Sequence, residues 1–118
     1  MADYQAPLRD MRFVLNEVFD VARLWAELPG LAEVVDAETA AAILEEAGKV
    51  TAGSIAPLNR SGDEEGCSWD AGAVKTPDGF PEAYRIYAEG GWVGVGGSPE
   101  FGGMGMPKVI GAQVEEMV

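Results

Sequence analysis

The sequence contains no histidine and only one cysteine, Cys67. Zinc and iron sites in proteins draw mainly on histidine nitrogen and cysteine sulfur, so the common transition-metal arrangements are excluded from a single chain. The same absence excludes Ser-His and Cys-His nucleophile pairs. A lone cysteine cannot form an internal disulfide, which agrees with a reducing compartment. We therefore predict no metal site in this chain and no nucleophile pair of these two classes.

Positive charge is also scarce, because 8 Lys and Arg stand against 20 Asp and Glu, giving a formal charge of -12. Phosphate backbones and anionic lipids are bound through cations, so nucleic acid is not an expected partner. No apolar run approaches the roughly 18 residues needed to cross a bilayer, which predicts no membrane span. Residues 1–5 lack the basic start and apolar stretch of a signal peptide. We therefore predict a cytoplasmic protein.

Apolar periodicity predicts an all-α domain over residues 1–118, in which about four helices form a bundle with one long irregular loop. The first helix is expected over residues 8–28, since apolar residues recur there at spacings of three and four and Pro29-Gly30 stops the pattern. Its buried stripe is predicted to contain Met11, Leu15, Val18, Ala22 and Trp25.

The second helix should begin after Asp36, whose carboxylate can accept hydrogen bonds from the unpaired amides of a first turn. Its apolar pattern continues toward Ile55, and Pro57 should kink or end it near Leu58. Residues 59–80 then contain four glycines and Pro77, so we predict a long surface loop. The expected apolar anchors of that loop are Cys67, Trp69, Val74 and Phe80.

Two short helices are predicted in the last third of the chain. Pro81 suits the first turn of a helix that Gly90-Gly91 would close. Eight of the 16 glycines lie between Gly90 and Gly105, so this stretch cannot be a regular helix. Pro107 starts a last helix that lacks a closing signal at Val118, and we expect the domain to be incomplete there.

Neither the acidic run nor the glycine cluster carries a specific motif. The spacing of Asp63, Glu64 and Glu65 differs from the alternate-position ligand pattern of a calcium loop, so we interpret these residues as solvated surface charge. The glycine cluster has neither the dinucleotide fingerprint nor the phosphate-loop pattern. Two roles stay open for it: passing the backbone between packed helices, or lining a site.

Two stretches of the glycine-rich segment resemble a known family. Gly91-Trp92-Val93-Gly94, followed by the run from Pro99 to Pro107 with its Pro-Glu-Phe-Gly-Gly-Met-Gly, resembles the end of the N-terminal helical domain of acyl-CoA dehydrogenases. The stretches 56–63 and 80–84 look like the longer bacterial subgroup that includes 3-methylmercaptopropionyl-CoA dehydrogenases. Together these stretches extend the resemblance over most of the chain.

The resemblance implies a flavoprotein in which a glutamate removes an α-proton of an acyl-CoA while a hydride passes from the β-carbon to the flavin. In the family, FAD and the base are held by later parts of the chain. We therefore expect FAD in a full-length parent and none in this chain, and we assign no catalytic or flavin-binding residue here. What carries over is the loop that borders the acyl-CoA cavity: Phe101, Gly102, Gly103 and Met104. Phe101 stands where the family more often has tyrosine.

The resemblance thus predicts a fragment of an acyl-CoA dehydrogenase that is inactive alone. Its partners would be the remainder of the parent chain, and for the parent an acyl-CoA substrate and an electron-transfer acceptor. The alternative hypothesis is a stand-alone helical interaction module that lacks flavin chemistry. Both hypotheses predict a homo-oligomer, because an isolated helical piece exposes apolar faces.

Overall fold

The computed structural model describes residues 3–118; Met1 and Ala2, which begin the segment used to predict localisation, lie outside the described residues. The fold is predominantly helical, as the sequence predicts, but it contains six α-helices and one small hairpin in this range. The elements are α1 (Leu8–Phe13), α2 (Val21–Glu27), α3 (Ala37–Val50), α4 (Asn59–Glu65), β1 (Ser68–Asp70), β2 (Ala73–Lys75), α5 (Phe80–Glu89) and α6 (Lys108–Met117).

The predicted first helix is interrupted. A π-helical turn, Val14–Val18, follows α1, and Asp20 adopts the left-handed region with φ 45° before α2 begins. Both features change the phase of the helix, since a π turn holds an extra residue and a left-handed residue ends helical propagation. As a result Val21 is buried and Val18 is 53% exposed, so the prediction that Val18 faces the core was wrong.

Helix α3 begins as predicted, with the amide of Thr39 donating to Asp36 Oδ1 at 2.7 Å. Beyond it the chain continues as a π-helical turn, Thr51–Ile55, a 3-10 turn, Ala56–Leu58, and then α4. Pro57 therefore changes the helix type without ending the helical path.

The expected loop over residues 59–80 was wrong in its first half, where α4 forms. Gly62 predicts a break in a helix from sequence alone, yet it lies within α4 and is buried under the Phe80 ring. A Cβ on Gly62 would lie 2.5 Å from that ring, so the glycine provides room for close packing. The predicted anchoring role of Phe80 is consistent with this contact.

The second half of the expected loop is a β-hairpin, with β1 antiparallel to β2 and Trp69 opposite Val74. Its two-residue turn, Ala71-Gly72, has positive φ at both positions, the conformation that matches the twist of hairpin strands. Trp69 and Val74 are 72% and 65% exposed and Cys67 is also exposed, so these three residues are not anchors within the described chain.

The last two helices form where the sequence predicts them. Gly91, with φ 82°, follows the end of α5, and the buried face of α6 packs on α3. This contact is the centre of the core, whose fully buried side chains are Leu44, Ile110 and Val114.

The described chain is a flat slab measuring 54 × 37 × 17 Å. An α-helix with its side chains is about 10–12 Å across, so the slab is less than two full helices thick. Its radius of gyration is 16.7 Å, against about 13.5 Å expected for a compact domain of this length. A slab of this thickness leaves both of its broad faces open.

Candidate functional site

The glycine-rich segment between α5 and α6 folds back on itself as two backbone layers. Residues 103–106 lie along residues 94–97, and the amides of residues 104–106 donate to carbonyl oxygens of that stretch. Met104 N donates to Gly94 O at 3.0 Å, Gly105 N to Gly97 O at 2.9 Å, and Met106 N to Val95 O at 3.0 Å. The segment is therefore an internally hydrogen-bonded unit with a fixed backbone.

Glycines are required where the two layers touch. A Cβ on Gly103 would collide with the Gly97 carbonyl and lie 2.6 Å from Gly97 Cα. Gly102 has φ 85°, a conformation that side chains with a Cβ adopt only with strain. The sequence left two roles open for this cluster, and the backbone approach between Gly97 and Gly103 gives it a definite packing role.

The hydrogen-bonded amides of the loop do not fit a flavin pyrophosphate. A phosphate cradle needs backbone N–H groups that point outward, as at an open helix N-terminus. Here the amide of Gly97 donates to Gly94 O at 2.9 Å, and that of Gly103 donates to Ser98 O at 3.0 Å. Together with the three interlayer bonds, these contacts occupy five amides of the loop, so no flavin contact is derived from these amides.

The four predicted cavity residues do not share one environment. Phe101 is 85% exposed at the tip of the loop, beside the exposed Gly102, and Gly103 lies at the contact between the two layers. Met104 is half-buried and lines an open depression of about 520 Å³ between the loop and α3. The other residues lining this depression are Glu38, Thr39, Ala42, Ile43, Glu46 and Trp92.

Sequence reasoning missed the contribution of α3 to this depression. Glu38, Ala42 and Glu46 follow each other at spacings of four, and so share one helix face with the lining residue Thr39. Glu46, one of the acidic members of this set, accepts a hydrogen bond from Lys49 at 2.6 Å. That bond raises the pKa of Lys49. Only the return of the loop over α3 turns this surface into one wall of a depression.

A second concavity, of about 560 Å³, lies between the turns that follow α3, helix α5 and the end of α6. We call it the tyrosine groove. Its lining residues are Tyr4, Thr51, Ile55, Ala56, Leu58, Asn59, Phe80, Ala83, Tyr84, Tyr87, Met117 and Val118.

Two tyrosines of this groove, Tyr87 and Tyr4, have raised pKa values. Burial, and then the negative charge of Glu115, raises the pKa of Tyr87. Burial, and then Glu116, raises the pKa of Tyr4 in the same way. Both phenols therefore keep their protons at neutral pH and offer weak hydrogen bonds instead of charge.

Charged residues of α5 form exposed surface pairs. Arg85 donates to Glu82 at 2.6 Å and to Glu89 at 2.7 Å, and this contact lowers the pKa of Glu82. Exposed pairs of this kind contribute little to stability and do not form a catalytic constellation. Among residues 3–118, no group of three or more potential ligands could hold a metal ion, and no helix is long and apolar enough to cross a membrane.

Similarity to proteins of known activity extends over nearly the whole chain. The chain is 37% identical, over 117 residues, to the 3-methylmercaptopropionyl-CoA dehydrogenase of Ruegeria pomeroyi. It is 31% identical, over 112 residues, to a broad-specificity linear acyl-CoA dehydrogenase of Mycobacterium tuberculosis. The chain is homologous to part of the acyl-CoA dehydrogenases. No protein-family model matches it.

The aligned region includes nearly all of this chain but only a small part of each relative. The two alignments include 98% and 93% of the chain but only 19% and 18% of the respective relatives. The chain thus spans about a fifth of the length of these dehydrogenases. Its helical fold is that of the N-terminal helical domain of the family, as the sequence motifs predict.

Proposed function

We propose that this chain is the N-terminal helical domain of a flavin-dependent acyl-CoA dehydrogenase and performs no catalysis alone. The observation that carries the proposal is the 37% identity that includes 98% of this chain and 19% of the relative. In a protein built this way, residues outside this chain supply the catalytic base and the flavin site. The parent oxidises an acyl-CoA to its α,β-unsaturated product and passes electrons to an external acceptor in the cytoplasm.

The role proposed for this domain is to form one border of the acyl-CoA cavity through Phe101, Gly102, Gly103 and Met104. The internal hydrogen bonds of the loop support this role, because a fixed backbone can hold the exposed Phe101 ring in one position. Preorganised contacts of this kind bind a substrate without the entropic cost of ordering a loop. FAD, when bound by the parent, accepts the hydride, and no residue of this chain is assigned to that step.

The proposal is tested with the protein produced from its native gene. We expect a product much larger than 12.4 kDa that absorbs as an oxidised flavin and bleaches when an acyl-CoA is added. A colourless product that ends at Val118 and folds cooperatively would contradict the proposal. That outcome would favour the alternative function, a helical interaction module without flavin chemistry.

One observation favours the alternative enough to keep it as the second candidate. The slab exposes large apolar side chains on the hairpin, on α1 and just before α2, among them Trp69, Val74, Phe13 and Phe19. Exposed apolar surface of this kind is typical of a protein that binds other proteins. The length of the native gene product distinguishes the two functions. A much longer product would allow another part of the same chain to cover the apolar surface, whereas a product ending at Val118 would require a separate protein.

A further inference from the structure

We infer that the tyrosine groove is an intramolecular docking site, filled in the parent protein by an apolar segment of the polypeptide beyond Val118. This inference rests on the proposed function and adds to it the surface of this domain that receives the rest of the protein. The groove lies apart from the candidate cavity loop, because the two concavities share no lining residue.

The groove is predominantly apolar and incompletely covered. Tyr84 is 66% exposed, Val118 55% and Phe80 38%, although all three line a concave surface. Large apolar side chains that remain open in a concavity gain stability only when another apolar surface covers them. The groove therefore has the character of half of an unfinished core.

The charge around the groove argues against an anionic small molecule as its occupant. Glu115 and Glu116, on α6, act on Tyr87 and Tyr4 through their negative charge and thus lie close to the groove. No Lys or Arg is among its lining residues. A carboxylate or a phosphate would meet repulsion here without a cation to pair with.

Charge also argues against a second copy of the chain. Each copy carries a formal charge of -12, so two copies repel each other across any shared face. A segment of the same polypeptide avoids the translational cost of bimolecular association and is present at a high effective concentration.

The position of α6 favours, as the occupant of the groove, a segment that follows α6 closely in the sequence. Met117 and Val118 form part of the groove wall, so a polypeptide that continues from α6 starts within the groove. The relatives provide ample length, because the aligned region is only 19% and 18% of each. Short connections between packed elements are the rule in compact proteins.

The experiment places a photo-crosslinking benzoylphenylalanine at position 84 of the full-length product of the native gene. Tyr84 is suitable because it is aromatic and exposed within the groove. The matched control carries the same group at Glu33, an exposed position outside both concavities. After irradiation, crosslinked peptides are identified by mass spectrometry, and the absorbance of bound flavin is recorded on the same sample.

We expect position 84 to crosslink to a peptide beyond residue 118, at a yield at least severalfold above that of position 33. A crosslink to residues 1–118 of another copy, equal yields at the two positions, or a gene product that ends at Val118 would overturn the inference. The flavin signal reports separately on the proposed function. A colourless but correctly crosslinked protein would refute the dehydrogenase proposal alone, whereas a yellow protein without the crosslink would refute the groove inference alone.

Discussion

Gly103 shows how a single absent side chain determines the path of the candidate loop. Its Cα lies so close to the Gly97 backbone that the two chain layers exchange amide and carbonyl contacts in a small space. A side chain on Gly103 would therefore push the layers apart. The hydrogen bonds between them would then have to be replaced by water or lost.

We predict that Gly103→Ala lowers the free energy of unfolding of the isolated chain by about 2 kcal/mol or more, because the new methyl group must displace backbone atoms. The control is Gly53→Ala, at an exposed helical position with open space around it, which should stabilise the chain by up to about 1 kcal/mol. Urea unfolding monitored by circular dichroism measures both. Equal effects of the two substitutions would show that the loop layers are not in close contact.

Asp36 provides a pH-dependent prediction at the residue scale. Its carboxylate accepts a hydrogen bond from the backbone N–H of Thr39, and this bond lowers its pKa below the ordinary value of 3.8. A lowered folded-state pKa means that the stabilisation is complete above the ordinary pKa. It is lost as the pH falls through the lowered one.

We therefore expect Asp36→Ala to lower the Tm by about 5 °C at pH 7, and by less as the pH falls below 3.8. Asp36→Asn keeps a capping oxygen but has no carboxyl group to titrate. The stability of this variant should therefore lack the part of the pH dependence that comes from Asp36. Thermal melts between pH 2 and pH 7 give the comparison. If the difference in Tm between the Asp36→Ala variant and the native chain is the same at every pH, the cap does not act through its charge.

Phe101 carries the prediction for the proposed cavity loop. Its side chain is 85% exposed, so Phe101→Ala should change the stability of the parent by no more than about 0.5 kcal/mol. Loss of an apolar contact with the acyl chain should raise the KM for acyl-CoA about tenfold. Val74→Ala, at a similarly exposed apolar position on the hairpin, is the control and should leave the KM unchanged. An unchanged KM in the Phe101 variant would remove this residue from the cavity.

At the scale of elements, the contact between α3 and α6 holds the slab together. Leu44 of α3 is fully buried, as is Ile110 of α6, and both helices carry small residues beside them. The two helices flank the glycine loop, which closes onto α3 and leads directly into α6. The stability of this helix pair therefore determines the position of the loop.

We expect Leu44→Ala to reduce the free energy of unfolding by about 3 kcal/mol, since the substitution removes buried methyl groups and leaves a cavity. Leu24→Ala, at a position of α2 that is 47% exposed, should cost much less. Chemical denaturation of the two variants makes the comparison. Similar losses at the two sites would mean that α2 is covered in solution by another surface.

At the scale of the whole molecule, the flat shape governs the behaviour of the isolated chain. A slab 17 Å thick cannot cover both sides of its helices, and large apolar side chains remain exposed on it. The formal charge of -12 opposes contact between copies and keeps the slabs apart at low salt. Salt weakens this repulsion without weakening apolar contact.

The isolated chain is therefore predicted to self-associate, and to do so more strongly as the salt concentration rises from about 0.01 M to 1 M, where the Debye length falls from about 30 Å to 3 Å. Sedimentation velocity at several protein concentrations measures the effect. If the groove is covered in the full-length parent, as we propose, the parent should show a defined oligomer that is independent of salt. A monomer across all conditions for the isolated chain would contradict this expectation.

Local chemistry explains which parts of this structure the sequence predicted. The α3 cap at Asp36, the start of α5 at Pro81 and the buried face of α6 follow from short-range effects: an acceptor for free amides, a fixed φ and a spacing of three or four. The irregular course of residues 90–105 followed from glycine content in the same way. Motif resemblance then predicted the family, which the comparisons with two dehydrogenases confirmed.

Contacts between residues distant in the sequence determined the features that the sequence pattern did not predict. The break at Asp20, the helical state around Gly62 and the two-layer glycine loop depend on packing partners that a local pattern does not specify. Gly62 is the clearest case, because its lack of a side chain indicates a loop in the sequence but admits the Phe80 ring in the fold. The sequence alone determined the starts of α1, α3, α5 and α6 and the resemblance to acyl-CoA dehydrogenases. Tertiary packing determined which surfaces became concave, since a cavity exists only between elements that the fold brings together.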